Sequence, residues 1–167
     1  PGPRRRDDLD AGRFEPPCPM CGKWLSPEAV PEDHGVDPRN VYAATKLHQE
    51  HLLASYQREH PGTVAKALRY HNVYGPRMPR DTPYAGVASI FRSAYERGES
   101  PRVLEDGGQT RDFVHVSDVV CANLLAAERA PLPDPDPAQA INIGRGESVT
   151  IRELWTIVCA GAGRVPA

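Results

Sequence analysis

Residues 40–52 read NVYAATKLHQEHL. From here to Glu59 the chain has no glycine or proline and is rich in Ala, Leu, Gln and Glu, residues that cost little in a helix. Pro61 and Gly62 then stop the run. The stretch sets Tyr42 four positions before Lys46, one of three lysines in a chain with seventeen arginines. On a helix, positions four apart share a face, with Cβ atoms about 5–6 Å from each other. A free phenol ionises near pH ~10 and is a poor base at neutral pH, and a cation held beside it favours the phenolate. An ammonium suits that place because it is a compact charge on a flexible stem, able to hold a phenolate and a hydroxyl together, whereas a guanidinium is a broad planar fork. A short pattern of this kind arises by chance roughly 0.1 times in a chain of this composition. Tyr42 and Lys46 are therefore the leading candidates for chemistry.

Working outward, strand-like and helical patterns alternate. TVAKALRY (63–70) is a short, mostly apolar run with a branched start, which predicts a buried strand. NVYGPRMPRDTP (72–83) holds one glycine and three prolines and is expected to be a loop. Val87, Ile90, Phe91 and Ala94 recur at helical spacing, with Gly98 as C-cap. PRVLE (101–105) and RDFVHV (111–116) read as strands around the turn DGGQ. SDVVCANLLAAERA (117–130) predicts a second helix with Ser117 as N-cap, and AINIG (140–144) another short strand. Thr150 and Glu153 form the signature of a capping box opening a last helix. Such alternation implies an α/β architecture with a mainly parallel sheet. No strand runs through a glycine-rich turn into a helix, as a dinucleotide pyrophosphate site requires; GRGES (144–148) and AGAGR (160–164) have the wrong spacing or place.

Eight prolines fall in residues 1–38, so that segment is expected to be an irregular insertion, with 39–167 the organised domain. A formal charge of -2 gives no general attraction for nucleic acid or anionic lipid. The longest apolar run, VVCANLLAA (119–127), is far short of a bilayer span. The basic N-terminus PGPRRRDDLD is followed by no apolar segment, and a cytoplasmic protein is expected. Cys121 and Cys159 sit in apolar helical patterns as small hydrophobes. Cys18 and Cys21, in CPMCG, have the spacing of a zinc knuckle, where two thiolates grip one side of a tetrahedral ion. His34 is a third ligand by spacing, no fourth is evident, and the pair is read as a possible half-site for a structural zinc. His48 and His51 are expected on a solvated face, and His115 as a packed, hydrogen-bonded histidine rather than a catalyst.

VPEDHGVDPRNVYAATK (30–46) resembles the approach to the Tyr-x-x-x-Lys of extended short-chain dehydrogenases/reductases, specifically the NAD-dependent epimerase/dehydratase family. LRYHNVYGPR (68–77) is similar to that family's strand and substrate loop, DGGQTRDFVHVSDVVCANLLA (106–126) to its phosphate-binding segment and helix, and AINIGRGESVTIREL (140–154) to the next strand, turn and helix. The four blocks stand in family order. The resemblance implies part of a Rossmann-like doubly wound sheet with a smaller substrate-binding region, the glycine-rich N-terminal βαβ unit lying outside this chain. It makes Tyr42 the general acid/base and Lys46 its partner, also bonded to the ribose of NAD. Tyr70 would lie near the nicotinamide, Asn72 would bond the sugar nucleotide, and Arg111 would bind its diphosphate. His71 stands where such proteins often have Phe. The implied reaction is epimerisation at C4 of a nucleotide-diphosphate sugar through a 4-keto intermediate, by a homodimeric enzyme when intact. A 4,6-dehydratase or reductase of the same family is the nearest rival. A zinc-ribbon module binding nucleic acid, or a non-catalytic fragment, are the others.

Overall fold

The computed structural model describes residues 4–80, 82, 85–128 and 139–161. The proline-rich run at 131–137 and most of AGAGR lie outside the described residues. In chain order the elements are α1 (Arg6–Asp10), α2 (Val41–Glu59), β1 (Lys66–Tyr70), β2 (Asn72–Tyr74), α3 (Val87–Arg97), β3 (Thr110–Arg111), β4 (Phe113–His115), α4 (Val116–Glu128), β5 (Gln139–Ile143), β6 (Val149–Thr150) and α5 (Ile151–Ala160). They fall into two compact units. One comprises Pro1–Ala29, Arg77–Asp112 and Gly146–Ala167, the other Val30–Pro76 and Phe113–Arg145.

The second unit holds the parallel strands. β1 pairs in parallel with β5 from Lys66–Gln139 to Tyr70–Ile143, and β2 pairs in parallel with β4 from Asn72–Phe113 to Tyr74–His115. The path 66–74 thus changes partner around His71, whose N–H still donates to the Ile143 carbonyl at 3.0 Å. NVY, expected as loop, is a strand because β4 supplies its ladder partners; the prolines begin only after it. Gly75 ends that strand at φ 150°, and a Cβ there would stand 2.6 Å from Val116 Cγ1, so only glycine lets the chain pass this close to the start of α4. α4 follows β4 directly from Val116, which puts Ser117 inside the first turn instead of at the N-cap. Ala67, Phe113, Val114 and Val119 form the buried centre of this unit.

The first unit is built on two helices. Phe91 of α3 is 1% exposed and meets Trp155 of α5 edge-to-face, ring centroids 5.7 Å apart. Ala94, Leu154 and Cys159 are buried in this unit as well. Gly98 adopts the left-handed conformation at the C-cap of α3 (φ 73°), as its position predicts. The capping box is present in full: the Thr150 hydroxyl accepts from Glu153 N–H, and the Glu153 carboxylate accepts from Thr150 N–H at 2.8 Å. PRVLE forms no strand. β3 pairs instead with β6, antiparallel, and Asp112 interrupts the run RDFVHV so that it yields two short strands. Residues 4–38 are largely irregular, apart from α1 and a bridge between Pro17 and Trp24.

Candidate active site

Asn40 starts the helix on which the site is built. Its side-chain oxygen accepts the Ala43 N–H at 2.8 Å, satisfying one of the orphan donors at the helix start. One turn in, Lys46 Nζ lies 5.5 Å from the centroid of the Tyr42 ring. The two side chains thus share a ridge of α2, and Tyr42 is 69% exposed. The phenol and the ammonium are both open to a ligand approaching that face.

No residue of α2 is fully buried, though Ala43, Leu47 and Ala54 are half-buried, and polar contacts help to hold it. Arg69 of β1 makes a forked pair with Glu50 of α2, Nε to Oε1 at 2.8 Å and Nη2 to Oε2 at 2.7 Å, and Nη1 donates to the Glu32 carbonyl at 3.1 Å. Glu32 in turn accepts the Asn142 N–H at 3.0 Å, and the Asn142 amide donates to the Val30 carbonyl at 3.0 Å. Gln57 Oε1 accepts the Ala65 N–H at 2.7 Å. The Arg69 guanidinium holds the Glu50 carboxyl below the usual carboxylate range, and the backbone N–H of Asn142 does the same for Glu32.

Tyr70 and Asn72 flank the point where the strand path changes partner. Tyr70 is the last residue of β1, the carboxyl end of a parallel strand, which is where open α/β sheets bind ligands. It is 46% exposed, and its hydroxyl donates to Asn123 Oδ1 at 3.0 Å. Asn123 Nδ2 donates to the Val119 carbonyl at 2.7 Å, which fixes the amide so that its oxygen faces the phenol. The Tyr70 hydroxyl therefore spends its proton on Asn123. Sequence reading gave Asn123 no role; its contact with Tyr70 spans 53 positions, beyond any local pattern. Asn72 opens β2 and is half-buried.

Arg111 belongs to the other compact unit. It is exposed on β3, where Nη1 donates to the Thr110 carbonyl at 2.7 Å and Nη2 to Gln109 Oε1 at 3.3 Å. Its neighbour Asp112 accepts the Gly146 N–H at 2.8 Å. His115 accepts the Ser117 N–H on Nδ1 at 3.2 Å and meets Tyr74 edge-on, ring centroids 5.3 Å apart, a packed histidine as expected. His48 and His51 are exposed.

Cys18 and Cys21 carry free thiols, with Cys21 exposed. Backbone N–H groups of Cys21 and Met20 donate to the Cys18 sulfur and draw that thiol below its ordinary range. Among the described residues no group of three or more His, Cys, Asp or Glu gathers to hold a metal ion, so the expected structural zinc finds no closed site. Among them, too, no helix is long and apolar enough to cross a membrane.

Comparison with known proteins gives the family. The model of the NAD dependent epimerase/dehydratase family matches residues 20–144. The chain belongs to this family. It is 38% identical over 130 residues to a putative UDP-glucose 4-epimerase of Methanocaldococcus jannaschii, covering 77% of this chain and 39% of that protein. It is 34% identical over 164 residues to the dTDP-L-rhamnose 4-epimerase of Burkholderia thailandensis, covering 98% of this chain and 42% of that one. Among solved structures, the UDP-N-acetylglucosamine 4-epimerase of Methanobrevibacter ruminantium, in complex with UDP-N-acetylmuramic acid, superposes with a TM-score of 0.69 at 40% identity, over 77% of this chain and 39% of that one. Relatives named as a reductase and a decarboxylase match as well. The chain spans about two fifths of the length of the curated relatives it matches. Its α/β class with parallel strands is that of the family.

Proposed function

We propose that the whole enzyme of which this chain forms part interconverts C4 epimers of a nucleotide-diphosphate sugar in the cytoplasm, through a 4-keto intermediate, with NAD as resident cofactor. The observation that carries the reading is the Lys46 ammonium 5.5 Å from the Tyr42 ring on an open face of α2. The donor set fits the nicotinamide end of NAD. Lys46 would hold a ribose hydroxyl, and Tyr70, exposed at the end of β1, would stand by the nicotinamide. Among the described residues no strand runs through a glycine-rich turn into a helix, so the pyrophosphate would be held by other parts of the enzyme.

When bound, NAD supplies the redox chemistry, taking up and returning a hydride at the sugar's C4. Tyr42 takes the proton of the C4 hydroxyl and returns it to the new epimer. Lys46 stabilises the phenolate during that transfer. Asn72 and Arg111 hold the sugar nucleotide, the arginine fork matching the diphosphate oxygens. A homodimer belongs to the same reading, and Leu52, Leu53 and Tyr56 on α2 offer exposed apolar surface for one. The reductase among the relatives keeps a one-way reduction of a 4-keto sugar as the second reading.

A chimera joining the N-terminal portion of the Burkholderia thailandensis relative to this chain tests it. Incubated with a panel of nucleotide sugars and followed by NMR, it is expected to form C4 epimers. Tyr42→Phe should lower the rate by about 10²–10⁴-fold. A folded, NAD-loaded chimera that forms no epimer, or a Tyr42→Phe variant of undiminished rate, would overturn the proposal. The chain by itself is expected to show no tight NAD binding by calorimetry.

A further inference from the structure

The apolar run VVCANLLAA of α4 is broken by one amide, Asn123. Asparagine is a poor residue for a helix interior, because its side chain competes for backbone groups. Its use here is visible in two bonds. Nδ2 donates to the Val119 carbonyl, one turn back, at 2.7 Å. A carbonyl only accepts, so the amide nitrogen is fixed on that side and Oδ1 on the other. The Tyr70 hydroxyl then donates to Oδ1 at 3.0 Å. The helix sets the amide, and the amide sets the phenol.

β1 is tied to α4 by side chains from both its ends. From its first residue, Lys66 Nζ donates to the Ala126 carbonyl at 2.7 Å. Ala126 lies in the last turn of α4, where carbonyls lack a partner within the helix and a cation is favourable, so this tie serves the helix. The Tyr70–Asn123 tie serves no such need. It joins two exposed side chains at the carboxyl end of a parallel strand, the end at which such sheets bind ligands. An exposed bond of this kind adds little stability. What it adds is direction: a tyrosine ring turns about two side-chain torsions, and holding the hydroxyl restricts both.

We infer that Asn123 is a positioning residue for the cofactor, holding the Tyr70 ring in the one orientation in which it meets the nicotinamide of bound NAD. The inference rests on the proposed NAD-dependent function. Asn123 acts through Tyr70 and touches no reacting atom.

The chimera with the Burkholderia thailandensis relative is titrated calorimetrically with NAD and, separately, with ADP-ribose, which lacks the nicotinamide. Asn123→Leu is expected to weaken NAD binding about 2–5-fold and to leave ADP-ribose binding unchanged. Tyr70→Phe keeps the ring, loses the donor, and should do the same. The Asn123→Leu/Tyr70→Phe double variant should bind NAD no more weakly than either single variant. Asn123→Asp keeps an accepting oxygen and should recover most of the loss. Lys66→Met removes the other tie and should lower the urea midpoint with NAD affinity unchanged. Equal losses for NAD and ADP-ribose, additive losses in the double variant, or no loss in Asn123→Leu would each overturn the inference. So would a Lys66→Met variant that weakens NAD as much as Asn123→Leu does. In this chain by itself, Asn123→Leu should shift the NMR resonance of the Tyr70 ring carbon that bears the hydroxyl. An unmoved resonance overturns the inference whether or not the chimera folds. A chimera that binds no NAD overturns both this inference and the proposed function. One that binds NAD with the expected pattern yet forms no epimer supports the positioning role and overturns the epimerase reading alone.

Discussion

The α3–α5 pair and helix α2 are held in opposite ways. α3 and α5 bury Phe91, Ala94, Leu154 and Cys159 and interlock through an edge-to-face ring contact. α2 is nearly twice as long as either, at 19 residues, yet none is buried; Val41, Leu52 and Tyr56 are all more than half exposed. It is fastened instead by an asparagine cap, the Arg69–Glu50 fork and the Gln57 contact. An apolar core is non-directional and resists change of position only through packing. A forked ion pair and a cap fix orientation, and orientation is what Tyr42 and Lys46 need if they are to meet one ligand together.

The largest effect is expected where packing dominates. Phe91→Ala would remove the most buried ring of the α3–α5 contact and cost about 3–5 kcal/mol, seen as a lower urea midpoint. Amide exchange should accelerate in α3 and α5. Equal acceleration throughout α2 would show that the two units unfold as one and would erase the contrast.

Next comes the polar fastening. Arg69→Met removes the partner of Glu50 and a donor to Glu32, and is expected to cost about 1 kcal/mol, concentrated in α2 exchange. Both carboxyls titrate lower in the folded protein than in the unfolded chain. The stability they lend is therefore complete above the unfolded glutamate value of about 4.3 and is lost as pH falls from there through the depressed folded values. Glu96 of α3, beside Arg92, and Glu153 of α5, in its capping box, are lowered as well, so acid should loosen all three helices, and in Arg69→Met only the Glu50 share of the α2 pH dependence should vanish. Retention of the full acid sensitivity in the variant would show that Glu50 is held by something else.

How much of this was legible follows from the range of the interactions. The helix bearing Tyr42 and Lys46 was readable because the run lacks breakers and the pair has helical spacing, both local properties. Gly98 and the Thr150–Glu153 box were readable for the same reason. β2 was hidden because Val73 and Tyr74, though β-favouring, make too short a run beside Gly75 and Pro76 to stand out; β4, some forty positions on, makes them a strand. PRVLE erred the other way, having strand composition without a partner, while β3 found β6. The Tyr70–Asn123 bond and the Arg69–Glu50–Glu32 fastening join segments that only the fold brings together.

The smallest effect expected is also the most local. Asn40→Ala removes the acceptor for the Ala43 N–H and should cost about 1 kcal/mol, frayed from the first turn of α2 inward. Tyr42 is the second residue of that helix, whereas Lys46 lies beyond the first turn. Fraying would therefore displace the phenol more than the ammonium and widen a separation that is 5.5 Å from Nζ to ring centroid. Asn40→Asp and Asn40→Ser keep a capping oxygen and should restore both the Ala43 protection and, in the chimera, the rate lost by Asn40→Ala. If Asn40→Ala lowers the rate while Ala43 exchange stays slow, the asparagine touches the reaction by another route. If exchange quickens and the rate holds, the orientation of Tyr42 is set by its ligand and not by the cap, and the polar fastening of α2 is then a matter of stability alone.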